Sequence, residues 1–168
     1  IECAGVLHHM ENPVAGWKIL TECLKPGGML MIGLYSELAR QDISKVLGEI
    51  SQRGINSNPL EMITFRNELI RSKEAHHKKL FLQNDFYTLS EFRDLLFHVK
   101  EHRFTIPQIQ ECLSELKLTF CGFHEPPILR RFKSEFRDPD AAYDLSKWEA
   151  FEHENPDVFS GMYQFWCQ

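Results

Sequence analysis

The sequence predicts an α/β protein, part of a mostly parallel sheet interrupted by a large helical insertion. Three observations lead there. Residues 1–36 read as an apolar strand, a helix, a Pro-Gly-Gly turn and a second apolar strand. Residues from about 40 to 117 carry helical periodicity, too long for one crossover helix. The chain then returns to strand-like runs at about 118–123 and 162–167.

Each element has a local cause. Cys3 to Leu7 is a short apolar run without alternation, the pattern of a strand buried on both faces. Asn12 is a good N-cap and Pro13 suits the first helical position. Val14, Trp17, Leu20 and Leu24 then share one helical face, and Pro26-Gly27-Gly28 stops the helix. Met29 to Tyr35 is again a buried strand. Strand, helix and strand with short links imply a parallel, right-handed crossover.

Beyond Ser36, Ile43, Val46, Leu47 and Ile50 predict a helix ending near Gly54, and Asn58-Pro59 with Glu61 opens another that runs to about Ser72. Thr88-Leu-Ser-Glu91 reads as a capping box before Phe92, Leu95, Leu96 and Val99. Thr105-Ile-Pro-Gln108 is a second, before Ile109, Cys112, Leu113 and Leu116. Leu118 to Phe123 is strand, Pro126-Pro127 breaks the chain, Ala141 to His153 is helix, and Met162 to Cys167 is an aromatic-rich strand. The expected division is therefore a sheet unit from 1–36 with 118–168, and a helical cap from 37–117.

Composition narrows the function classes. The 168 residues are 43% hydrophobic and 12% aromatic, enough for a packed core. A net charge of −5 and short basic runs, Arg71–Lys79 and Arg130–Lys133, lack the clustered footprint of a nucleic-acid binder. No window approaches the ~18 apolar residues of a membrane span, and the start does not read as a signal peptide. Five cysteines without a Cys-x-x-Cys read as small core residues in a reducing cytoplasm. A cytoplasmic location is expected, with no membrane partner.

Gly5-Val6-Leu7-His8-His9-Met10, then Asn12-Pro13, then Leu24-Lys25-Pro26-Gly27-Gly28, resembles the fourth and fifth strands of class I S-adenosylmethionine-dependent methyltransferases. Asp85-Phe86-Tyr87 through Arg93-Asp94-Leu95-Leu96-Phe97-His98, Glu101-His102-Arg103-Phe104, and Gly161-Met162-Tyr163-Gln164-Phe165-Trp166 are similar to the C-terminal part of methyltransferases often fused to tetratricopeptide repeats. The resemblance implies a truncated Rossmann-like half-sheet with a helical insertion. Of the family strand order 3-2-1-4-5-7-6, strands 4, 5, 6 and 7 would fall at about 1–7, 29–35, 118–123 and 162–167. Strands 1 to 3, the Gly-rich turn and the ribose-binding acid have no counterpart, and the chain holds no Gly-x-Gly-x-x-Gly.

The resemblance implies methyl transfer from S-adenosylmethionine to a small molecule or a protein side chain in a longer protein, this chain being inactive alone. Gly5, Val6 and Leu7 would line the methionine end of the cofactor. His8 and His9 would face the transfer site, and Tyr35 and Ser36 would lie beside it. Tyr87, Arg93, His98, His102 and Arg103 would reach the substrate from the cap. A non-catalytic docking module is the alternative.

Several readings stay open on the residues alone. His8 and His9 suit a general base or a turn that contacts backbone. Arg93 and Asp94 suit acceptor binding or a local salt bridge. His98-Val99-Lys100-Glu101-His102 matches the inverted zincin motif if it is helical, but no metal centre is expected. His76-His77 reads as a solvated helix face. Phe159, Tyr163, Phe165 and Trp166 read as core. A chain that opens inside a strand suggests truncation and an exposed edge, so a symmetric homodimer near that edge is expected.

Overall fold

The computed structural model describes every residue except Val99, so the expectation that Val99 joins a helical face lies outside the described residues. The chain divides into two compact units, Ile1–Ala39 with Lys100–Gln168, and Arg40–Val99.

In the first unit, β1 (Glu2–Cys3) leads through a 3₁₀ turn at Leu7–His9 into α1 (Pro13–Glu22) and then β2 (Leu30–Ser36). Asn12 Oδ1 accepts the Ala15 N–H at 3.0 Å, with Pro13 in the first turn, as its N-cap role requires. β1 is far shorter than the apolar run suggests. Gly5 takes φ +74°, which turns the chain out of the strand direction before Leu7. Leu7 is buried all the same, because the turn tucks it into the core.

The second unit holds α2 (Gln41–Arg53), α3 (Pro59–Arg71), α4 (Ala75–Leu80) and α5 (Leu89–Leu96). Its own core is built from Ile43, Val46, Met62, Phe65, Leu69, Leu80, Phe92 and Leu96. Thr88 Oγ1 accepts the Glu91 N–H, so the predicted cap starts α5.

The chain re-enters the first unit as β3 (Arg103–Phe104), followed by α6 (Ile106–Leu116), β4 (Phe120–Phe123), α7 (Pro126–Glu135), α8 (Leu145–Glu154) and β5 (Tyr163–Cys167). The capping box at Thr105 and Gln108 forms with both reciprocal bonds. Two corrections concern this region. α6, assigned to the cap from its periodicity, belongs to the sheet unit. Pro126-Pro127 starts a helix and does not break the chain, because proline in a first turn forfeits only N–H groups that lack helical partners anyway.

The sheet runs β1-β2-β5-β4, with β1 parallel to β2 and β5 antiparallel to both β2 and β4. That is the 4-5-7-6 order the resemblance implies. Met31 N–H donates to Ile1 O, and Glu37 N–H donates to Phe104 O. Alternate N–H groups of a strand point to one side, so β3 continues along the edge of β2 where β1 stops. β5 alternates strictly: Tyr163, Phe165 and Cys167 are buried, with Tyr163 and Phe165 against Phe123 and Tyr163 also against Phe159, while Trp166 faces the other way, half-buried, with Nε1–H donating to His124 Nδ1. Trp166 is thus not the core residue its neighbours suggested.

Candidate functional site

Open α/β sheets present ligand sites at the C-terminal ends of their parallel strands. Here three segments meet at that end. β1 delivers the 3₁₀ turn with His8 and His9, β2 delivers Tyr35 and Ser36, and β3 delivers His102 and Arg103. His102 N–H donates to His8 O at 2.8 Å, and Tyr35 pairs with Arg103 across the parallel ladder. Six residues singled out from the sequence are therefore neighbours.

Their environments differ in ways that sort them chemically. His8 is fully buried, its ring 4.1 Å from the Tyr35 ring and 4.2 Å from the His9 ring between centroids. His9 is half-buried, and its Nδ1 lies 3.0 Å from Lys100 O. A carbonyl can only accept, so the neutral His9 ring donates to it from Nδ1–H. Arg103 Nε pairs with Glu37 at 3.2 Å, and Lys100 pairs with Glu11 at 3.1 Å.

Beside this cluster runs a groove of about 350 Å³, bounded by Pro13 and Val14 of α1, His102 to Phe104 of β3, and Gln108, Glu111, Cys112 and Glu115 of α6. Glu111 and Glu115 make its helical wall acidic.

At the end of β2, Ser36 turns inward. Its Oγ–H donates to Glu152 Oε1 at 2.6 Å and its oxygen accepts the Ala39 N–H at 3.0 Å. Tyr163 O–H donates to the same carboxyl group at 2.6 and 2.7 Å. Ser36, Glu152 and Tyr163 are all essentially buried. Burial pushes the Glu152 carboxyl above the usual range despite the two hydroxyl donors, and burial together with the facing carboxylate pushes the Tyr163 hydroxyl up. Ser36 is thus a buried anchor of the strand end, where the sequence suggested a substrate contact.

Sequence reasoning missed Glu152, although a signal was present. Leu145, Trp148 and Glu152 fall at i, i+3 and i+7, which puts a carboxylate in the apolar stripe of α8.

The remaining sequence candidates are placed otherwise. Gly5 and Val6 are exposed, whereas Leu7 packs into the core and offers only backbone. Tyr87, Arg93 and His98 are exposed residues of the second unit. Tyr87 O–H donates to Phe81 O, and its own carbonyl accepts from Arg66, so the residue knits its own unit. α5 ends at Leu96, so His98 and His102 do not share the helical face that the zincin motif requires. His76 and His77 are not solvated: His77 is buried, and both rings engage Glu49.

No protein-family model matches the chain. The uncharacterized protein syc1184_c of Synechococcus sp. is 27% identical over 161 residues, which is 90% of this chain but only 39% of that protein. Among solved structures, PKMT2 from Rickettsia typhi superimposes with a TM-score of 0.62 at 12% identity, and its complex with AdoHcy with 0.60 at 12%. Each match covers 99% of this chain and 34% of the other. The chain therefore spans well under half of the proteins it matches, and its fold is that of a methyltransferase-like α/β sheet with added helices.

Proposed function

We propose that this chain is the C-terminal, acceptor-facing part of an S-adenosylmethionine-dependent methyltransferase. The observation that carries the reading is the sheet: order β1-β2-β5-β4 with β5 antiparallel, with the turn after β1 carrying His8 and His9, the end of β2 carrying Tyr35, and His102 just before β3. The likeness to an AdoHcy-bound structure supports it, AdoHcy being the demethylated form of the methyl donor.

The residues present fit one end of that cofactor. At Gly5, with φ +74°, no heavy atom lies within 4 Å of where a Cβ would stand, so the backbone from Ala4 to Val6 offers an open wall. The nucleotide end would need the Gly-rich turn, which these residues do not supply. The cofactor contributes an electrophilic methyl group on a sulfonium. The chain then has to align an acceptor, exclude water and take a proton. His9, half-buried on the turn after β1, is the base. His8, buried beneath Tyr35, positions that turn. A small molecule or a protein side chain is the acceptor.

Titration of AdoHcy into this chain, followed by backbone amide NMR, tests the reading. With one wall of the site, affinity on the order of 1 mM is expected. Shifts should be confined to Ala4–His9 and Tyr35–Ser36, and lost in the His9→Ala variant's own turn. No shifts at roughly ten times that ligand concentration, or shifts confined to the second unit, would sink it and favour a docking module.

The isolated chain also presents the outer edge of β1, whose N–H and C=O groups on that side have no ladder partner among the described residues. Self-association as a homodimer is expected for the chain alone. Light scattering that stays at one chain mass at high concentration would count against it.

A further inference from the structure

We infer that Glu49, His76 and His77 form a binding site for a divalent first-row transition ion, with zinc as the ion of choice. The inference is independent of the methyltransferase reading, since all three residues lie in the second unit. Their ligand atoms all fall within 4.8 Å of one another.

Both imidazole rings converge on one carboxylate. His76 Nε2 lies 2.7 Å from Glu49 Oε1, and His77 Nε2 lies 3.0 Å from both carboxyl oxygens. The two rings stand 4.1 Å apart, tilted by 54°. Both histidines thus turn the same nitrogen toward one carboxylate. With metal–ligand bonds of about 2.0–2.1 Å, ligands around a tetrahedral zinc stand roughly 3.3 Å apart. The two histidine–carboxylate separations are a few tenths of an ångström shorter and all ligand atoms lie within 4.8 Å, so an ion can replace the bridging protons with small side-chain adjustments.

The support behind the ligands is also present. His77 Nδ1 lies 2.7 Å from Ser72 Oγ, which also accepts the Glu74 N–H. A hydroxyl can donate to or accept from an imidazole. With the ion bound, Nδ1–H donates to Ser72, which fixes the tautomer and leaves Nε2 for the metal. Glu49 comes from α2 and the histidines from the first turn of α4, so the ion would bridge two helices that already pack together. Two histidines and one carboxylate leave the fourth position to water, the donor set of an open zinc site.

The test is zinc titration of the whole chain after chelator treatment, with Glu49→Gln, His76→Gln and His153→Gln variants whose helicity is checked by circular dichroism. One saturable zinc per chain is expected. Affinity should fall at least about tenfold in Glu49→Gln and in His76→Gln and hold in His153→Gln. Glu49→Gln preserves shape and His76 is half-buried, so the test does not depend on a risky change at buried His77. Absence of saturable binding, or zinc affinity unchanged in both ligand variants, overturns the proposal.

Discussion

Replacing Glu152 by alanine is expected to destabilise the sheet unit by about 3–5 kcal/mol, because two buried hydroxyls lose their acceptor at once. Ser36 and Tyr163 both donate to this carboxyl group, and neither can turn to water. Glu152→Gln keeps the shape and one acceptor oxygen, and should cost about 1 kcal/mol. All three tryptophans, Trp17, Trp148 and Trp166, lie in this unit. Urea unfolding followed by tryptophan fluorescence therefore reports it selectively.

The carboxyl is raised above its ordinary value, with burial as the first cause. A raised acid binds protons more readily in the folded chain. Its contribution is complete below the unfolded value and is lost as pH rises through the folded one. The stability of the native chain relative to Glu152→Gln should therefore shrink from acid toward neutral pH. A gap that widens with rising pH, or an alanine variant within about 0.5 kcal/mol of the native chain, would refute the account.

The first crossover was legible because it rests on strong local signals, Asn12-Pro13, the Pro26-Gly27-Gly28 stop and unbroken apolar runs, whereas the sheet order came from the methyltransferase resemblance. The caps predicted at Thr88 and Thr105 marked true helix starts, the second as a full capping box. What stayed hidden depended on partners far away in sequence or on backbone geometry. Glu49 meets His77 across 28 residues, and Glu152 meets Ser36 across 116. A carboxylate in a helix reads as surface until something buried is found to face it. β3 is two residues long and exists only because the end of β2 offers it a ladder. The first strand looked longer than it is because apolar residues continue to Leu7 while Gly5 has already turned the chain.

The close approach of Ala4 to β2 carries the second large prediction and ties the fold to the candidate site. Gly33 lies at the centre of β2, opposite Gln164 of β5. A Cβ there would stand 2.5 Å from Met162 Sδ and 2.8 Å from both Cα and Cβ of Ala4. The methionine can swing aside, but Ala4 is backbone. It sits between Cys3, which pairs with Ile32, and Gly5, which turns the chain toward His8 and His9. Gly33→Ala must therefore push the Ala4–Val6 segment off the sheet. A cost of about 2–3 kcal/mol is expected from overpacking. The AdoHcy shifts at Gly5 and His9 should vanish with it, although neither residue was changed.

Gly48 is the matched control. A Cβ there meets nothing within 4 Å on α2, so Gly48→Ala should stabilise by about 0.5–1 kcal/mol and leave those shifts intact. If Gly33→Ala unfolds like the native chain and keeps the shifts, then Ala4 is not braced by β2. The wall assigned to the cofactor would then lose its support. If stability falls while the shifts survive, the strand end and the ligand wall are separate, and the wall must be sought among Tyr35, His102 and the groove along α6.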